Sequence, residues 1–113
     1  MIENTVRKYL LEKLSPVPIY LEKPESKPAE YILIEKTGSG EENHIKSATL
    51  AIQSIAGRLI EAAELNEQMK NAMEQIIILP NVSRAKLDTD YNFTNTVTKE
   101  YRYQAVYDLT YYE

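Results

Sequence analysis

The chain has 113 residues, thirteen Lys and Arg against seventeen Asp and Glu for a net charge of -4, and no cysteine. That length suits one core, and the missing cysteine excludes disulfides, thiolate metal sites and cysteine nucleophiles while fitting a reducing compartment. The acidic balance argues against a general nucleic-acid binder, and a single histidine, His44, would leave a zinc or iron site to be built almost wholly from carboxylates.

In chain order, Met1-Ile2-Glu3-Asn4 has no basic segment followed by an apolar run, so a secretory signal is not expected. Ile2, Val6, Leu10 and Leu14 recur four apart, with Glu3, Arg7, Lys8 and Glu12 between them, and predict an amphipathic helix over 2–14. Ser15-Pro16-Val17-Pro18 ends it, because proline lacks an amide donor and disfavours helix in the residue before it. Ile19-Tyr20-Leu21 reads as a short extended piece, and Lys23 to Pro28 as an exposed connector. Tyr31 to Thr37 predicts a strand with Ile32 and Ile34 on one face. A hairpin across residues 38–43, opening on Gly38-Ser39-Gly40, leads into a second strand from His44 to Ser54. There Ala48, Leu50 and Ile52 point one way, and Thr49, Ala51 and Gln53 the other. After Gly57, Leu59, Ala62, Leu65, Met69, Ala72 or Met73, and Ile76 recur at helical spacing and predict the principal helix.

The longest apolar run, Ile76 to Leu79, is far below the roughly 20 residues that cross a bilayer. Pro80-Asn81 marks a turn before two further strands, Val82 to Phe93 and Lys99 to Tyr112. In the last strand Tyr101, Tyr103, Ala105, Tyr107, Leu109 and Tyr111 alternate with Arg102, Gln104, Val106, Asp108 and Thr110. Thr94 to Thr98 is the polar tip between them. The expected fold is α+β, a mostly antiparallel four- to five-stranded sheet with two helices packed on one face. Ferredoxin-like topologies look similar, but the strand order stays open.

The chemistry-bearing residues point away from catalysis. No nucleophile motif surrounds His44, which reads as capping the entry to a strand or facing solvent, with a pH-sensitive contact as the lesser alternative. Gly38-Ser39-Gly40 lacks the helix and the lysine-hydroxyl pattern of a phosphate loop, and reads as a turn. Glu61, Glu64, Glu67 and Glu74 fit a solvated helix face. Asp88 and Asp90, two apart on a strand and so on one face, read as a polar surface or a subunit contact rather than an acid-base pair. Met69 and Met73 fit the core. The tyrosine row reads first as a cover for the helices and second as a binding surface, because tyrosine joins a large apolar ring to a polar tip. No catalytic, cofactor-binding or metal-ligating residue is expected, and no cofactor.

Four stretches carry a resemblance: Tyr31-Ile32-Leu33-Ile34-Glu35-Lys36-Thr37-Gly38, Ala48-Thr49-Leu50-Ala51-Ile52-Gln53-Ser54, Glu61-Ala62-Ala63-Glu64-Leu65-Asn66, and Asp90-Tyr91-Asn92-Phe93-Thr94 with Tyr101-Arg102-Tyr103-Gln104-Ala105. Together, over about Val17 to Tyr112, the chain resembles the tail terminator (tail completion) proteins of siphophages and prophages of Gram-positive bacteria. The resemblance implies a structural protein that caps the tail tube as a ring at its head-proximal end and mediates head-tail joining. The implied partners are other copies in a homo-hexamer, the tail tube protein and a neck or head-closure protein. DNA would pass through the ring without specific binding, and no membrane is involved. The implied location is the tail-neck junction of the virion, with the host cytoplasm during assembly.

A ring needs a heterologous interface, in which one patch of each subunit meets a different patch of its neighbour. On this reading Thr49, Ala51 and Gln53 are expected near the subunit contact. Tyr91, Asn92, Phe93, Thr94, Asn95 and Thr96 are expected in a loop that meets a tail or neck partner. The alternatives are another neck component, such as a head-closure or adaptor protein, and a bacterial ligand-binding domain, whose mark would be an apolar pocket with convergent polar groups.

Overall fold

The computed structural model describes residues 1–112. Two helices, α1 (Ile2–Lys13) and α2 (Leu59–Met73), accompany five strands: β1 (Ile19–Tyr20), β2 (Glu30–Glu42), β3 (Ile45–Ala56), β4 (Val82–Asn92) and β5 (Tyr101–Tyr111). A 3₁₀ turn over Ile76–Ile78 joins α2 to β4. The sheet order is β1-β2-β3-β5-β4, antiparallel throughout except for the two-residue β1, which runs parallel to β2. Because β3 and β4 both run against the β5 strand that separates them, β3-α2-β4 forms a split β-α-β unit. The α+β class expected from the sequence is the one found, and both helices lie on the same face of the sheet.

The core follows from the two periodicities. Leu50 and Ile52 of β3 and Ala105 and Tyr107 of β5 alternate onto one face, where they meet Leu65, Met69 and Met73 of α2. Val6 and Leu10 of α1 join the same cluster, and the Tyr9 hydroxyl donates to the Ala72 carbonyl at 2.7 Å, tying helix to helix. Arg58, extended at φ -137°, precedes α2, and Glu61 in its first turn complements the helix dipole. The apolar stripe of α2 begins later than its spacing suggests. Leu59 is exposed, and Ile76 is buried from the 3₁₀ turn rather than from the helix.

Two expectations are corrected. The first hairpin does not turn across residues 38–43: β2 runs on through Gly38-Ser39-Gly40 to Glu42, and the turn is Asn43-His44, with φ of 53° and 68°. A two-residue hairpin turn of this kind needs positive φ at both positions, which asparagine tolerates. None of the glycines has positive φ. Gly38 instead lies opposite Thr49, just past a bulge between Lys36 and Gly38. In consequence the second strand starts at Ile45 rather than His44, and His44 is an exposed turn residue.

The second correction concerns Asp88 and Asp90. A bulge between Leu87 and Thr89 breaks the alternation, so that Asp90 pairs with Ala105 and turns toward α2. Counting by twos along β4 therefore does not carry across the bulge from Asp88 to Asp90.

Candidate functional site

The sheet face away from the helices is built by the remaining side chains of the same strands. Across β3 and β5, Thr49 lies opposite Asp108, Ala51 opposite Val106, Gln53 opposite Gln104 and Ile55 opposite Arg102. The Thr49 hydroxyl donates to Asp108 Oδ1 at 3.0 Å, and Gln53 Nε2 donates to Gln104 Oε1 at 2.8 Å. Gln104 in turn donates to the Tyr91 hydroxyl on β4. One hydrogen-bonded row thus crosses three strands, joining Gln53, expected at a subunit contact, to Tyr91, expected in a partner-facing loop.

The expected contact residues are not protruding groups. Ala51 and Gln53 are only 4% and 8% exposed although neither helix lies over them. They sit on the central strand between longer neighbours and form the floor of this face. Its relief comes from β4 and β5. The Arg102 guanidinium lies over the Phe93 ring at 4.6 Å from its centroid, and its Nε donates to the Phe93 carbonyl at 2.7 Å. Tyr91 meets Phe93 edge-on at 5.7 Å.

The segment expected as a partner-facing loop divides in two. Tyr91 and Asn92 belong to β4, and Phe93 continues the ladder by donating its amide to the Arg102 carbonyl at 2.9 Å. Thr94, Asn95 and Thr96 enter a tip ordered by short-range bonds. Asn92 Oδ1 accepts from the amide and the hydroxyl of Thr94, and Asn95 Oδ1 accepts from the amides of Val97 and Thr98. A bridge between Asn95 and Glu100 closes the tip, and Val97 projects from it at 91% exposure.

Glu100 fastens the tip to the connector ahead of β2. Lys27 Nζ lies 3.1 Å from its carboxylate, Lys23 3.7 Å and Arg102 2.8 Å. Burial alone would raise the Glu100 pKa, but the Lys27 hydrogen bond and the three cations outweigh it and hold the carboxyl below its ordinary value. Tyr31, buried nearby and edge-on to Tyr20 at 5.9 Å, has its hydroxyl pKa raised by burial and by the Glu100 charge.

On the helix face, Asn66 Nδ2 donates to Asp90 Oδ1 at 2.8 Å, and Lys70 bonds to Asp90 Oδ2 and to Glu67. These contacts pin α2 to the edge strand β4, and the hydrogen bonds to Asp90 and Glu67 raise the Lys70 pKa. The row of tyrosines divides accordingly. Tyr107 and Tyr111 are buried, whereas Tyr101 and Tyr103 are half-buried. Burial pushes the Tyr107 hydroxyl up to about 12, against the opposing effect of Lys70.

A cleft of about 440 Å³ lies between the C-terminal ends of α1 and α2, lined by Tyr9, Lys13, Gln68, Asn71 and Gln75 among others. Its wall is mixed, with Lys13 and the amides of Gln68, Asn71 and Gln75 beside the apolar surfaces of Tyr9, Leu14 and Ala72. Among the described residues no group of three or more histidine or carboxylate side chains is placed to hold a metal ion. Among the same residues no helix is long and apolar enough to cross a membrane.

Sequence reasoning passed over Arg102, Gln104 and Glu100. The first two lie on the alternate face of β5, which the period of two identifies; the signal was available, but polar residues in a strand name no partner by themselves. Glu100 depends on lysines more than seventy residues away in sequence, which no local pattern reveals. No protein-family model matches the chain, and no curated protein matches it.

Proposed function

We propose that this chain is a phage structural protein of the tail-terminator type, which caps the tail tube as a ring at the head-proximal end and mediates head-tail joining. The resemblance of the four stretches is the starting point. The observation that carries the reading furthest is the division of the sheet: one face is sealed by both helices, and the other bears the Gln53-Gln104-Tyr91 row and the Phe93-Arg102 stack. A subunit that works by side-to-side association needs such an asymmetry, because different surfaces must meet neighbours, tube and neck. Tyrosine, phenylalanine and arginine are the residues that protein interfaces favour.

Electron microscopy of particles carrying a label on this chain tests the reading. Label at the head-proximal end of the tail is the expected result, and label at the distal tip or within the capsid overturns it. Gln53→Arg, which sets a long cation on the floor of this face, is expected to stop the tube or neck protein from docking there and so to leave heads and tails unjoined. Gln53 is bonded within its own chain, so circular dichroism must first show that the variant is folded. Val106→Glu, on a half-buried neighbour of Ala51 on the same face, disturbs no side-chain hydrogen bond and is expected to have the same effect.

A further inference from the structure

The sheet has two unpaired edges, and they match one another. β1 pairs with β2 at Ile32 and Leu33, so among the described residues the outer edge of β2 from Glu35 to Glu42 has no neighbouring strand, and the outer edge of β4 has none along its length. Rows of unpaired amides and carbonyls on exposed edges are templates for another strand.

Strand direction is the first sign of a match. β2, β3, β5 and β4 alternate in direction, so a second copy placed beside the first with its helices on the same side sets its β2 antiparallel to this β4. Height is the second. Followed across the sheet, the ladders place Ser39 level with Ala85, Gly40 level with Arg84, and Gly38 level with Lys86. The two long basic side chains of β4 therefore face the two glycines of β2, which leave room for them. The third sign is curvature: the bulge in β2 and the Leu87/Thr89 bulge in β4 both adjoin the row Lys36-Leu50-Tyr107-Leu87, so both edges bend at that height, while a second irregularity in β4, between Val82 and Arg84, falls at the end of the matched stretch. The fourth is charge. Arg84 and Lys86 on one edge stand against Glu41 and Glu42 at the end of the other, and none of the four forms an ion pair among the described residues. Glu42 is two residues from Gly40, and so diagonal to Arg84, within reach of a long side chain.

We propose that copies of this chain join edge to edge, the Glu35–Glu42 edge of β2 pairing antiparallel with the β4 strand of the next copy in the register that sets Ser39 opposite Ala85. The contact is heterologous, so every joined copy keeps one free edge of each kind until the assembly closes. β1 acts as a stop, because it occupies the β2 edge beyond Ile34. From the proposed function the pairing takes only that copies meet side to side.

The chain has no cysteine, so paired thiols give an unambiguous test. Ser39→Cys and Ala85→Cys, made in separate chains, mixed and oxidised, should give a mixed disulfide, since paired strands hold Cα atoms within the span a disulfide bridges. Neither variant alone should cross-link to itself. Absence of the mixed species, or self-cross-linking of either variant, overturns the proposal; the first outcome is also what an edge reserved for another protein's strand would give.

A charge exchange checks the same contact without cysteines. Arg84→Glu and Glu42→Lys should each lose self-association in sedimentation while keeping the parental circular dichroism, and an equimolar mixture should regain it. Failure of the mixture to recover overturns the register. Mixed disulfides together with label at the distal tail tip would keep the edge pairing and remove the tail-terminator reading. Label at the neck with no mixed disulfide would do the reverse.

Discussion

At the scale of single residues, the polar group with most at stake is Asn66. It is 1% exposed and, among the described residues, its Nδ2 bonds to Asp90 while its Oδ1 has no partner. Removing the acceptor leaves a whole amide buried without a bond, which costs on the order of 1–3 kcal/mol. Asp90→Ala is therefore expected to destabilise the fold by about 2 kcal/mol in urea denaturation. Glu67→Ala, which removes only the outer partner of Lys70, should stay within about 0.5 kcal/mol, because that carboxylate is largely in water. Equal losses from the two would show that α2 is not anchored through Asp90.

Titration adds a second residue-scale outcome. Tyr107 ionises at about 12 in the folded chain against an ordinary value of 10.0. Between these values the unfolded chain has lost the proton that the folded chain keeps, so stability falls as pH rises across that window. The raised Lys70 pKa acts in the same direction, since its paired cation is stabilising below its unfolded pKa and is lost only as pH climbs through the folded one. Tyr107→Phe should therefore flatten the alkaline decline in thermal midpoint without abolishing it; an unchanged slope would exclude Tyr107 as its source. Glu100 acts at the other end. Its lowered pKa makes its contribution complete above the ordinary value of 4.5 and lost as pH falls through the folded value.

At the scale of elements, the β2-β3 hairpin separates two kinds of turn signal. His44 has φ of 68° without being glycine, a conformation that costs an L-residue roughly 1 kcal/mol, so His44→Gly should raise stability by about 0.5–1 kcal/mol. Gly38 lies within a strand at negative φ, and a Cβ there would meet Thr49 at 3.7 Å, an ordinary contact. Gly38→Ala should thus be neutral, or stabilising by about 0.4–1 kcal/mol through the unfolded chain. Thermal melts of the two variants check both, and a large loss at Gly38 would mean that the turn is where the glycines suggest.

The same hairpin shows what was legible and why. The alternation of β5 and the stripe Ala62-Leu65-Met69-Met73 were readable because burial enforces a period over many residues. Turn position was not, because Gly-Ser-Gly is a stronger local turn signal than Asn-His, and only the ladder with β3 carries β2 past it. The bulges at Thr37 and Asp88 were illegible for the same reason: each depends on the opposite strand, as does the turning of Asp90 toward α2. For the candidate site, the face of Thr49, Ala51 and Gln53 followed from the period of two. Their place on its floor came from β2 and β5 on either side.

At the scale of the whole molecule, the strands set the shape. Eleven to thirteen residues at roughly 3.3 Å each span about 36–43 Å, matching the 44 Å long axis, and the Asn43-His44 turn and the Asn95–Thr98 tip lie at opposite ends. A single core beneath β3 and β5 joins α1 and α2, whereas the tip at 93–100 is held by its own short-range bonds and by the Glu100 ion pairs. Opening should follow that division. Leu65→Ala, which empties a fully buried site, is expected to cost about 2–5 kcal/mol and to speed amide exchange in α1, α2, β3 and β5 together. Glu100→Gln should speed exchange only in the tip and in the connector at 21–29, with the amides of β3 unchanged. If Glu100→Gln accelerated β3 as well, the tip would belong to the same cooperative unit as the core, and the end of the molecule carrying Phe93 and Val97 would lack the independence that engaging a partner without disturbing the sheet requires.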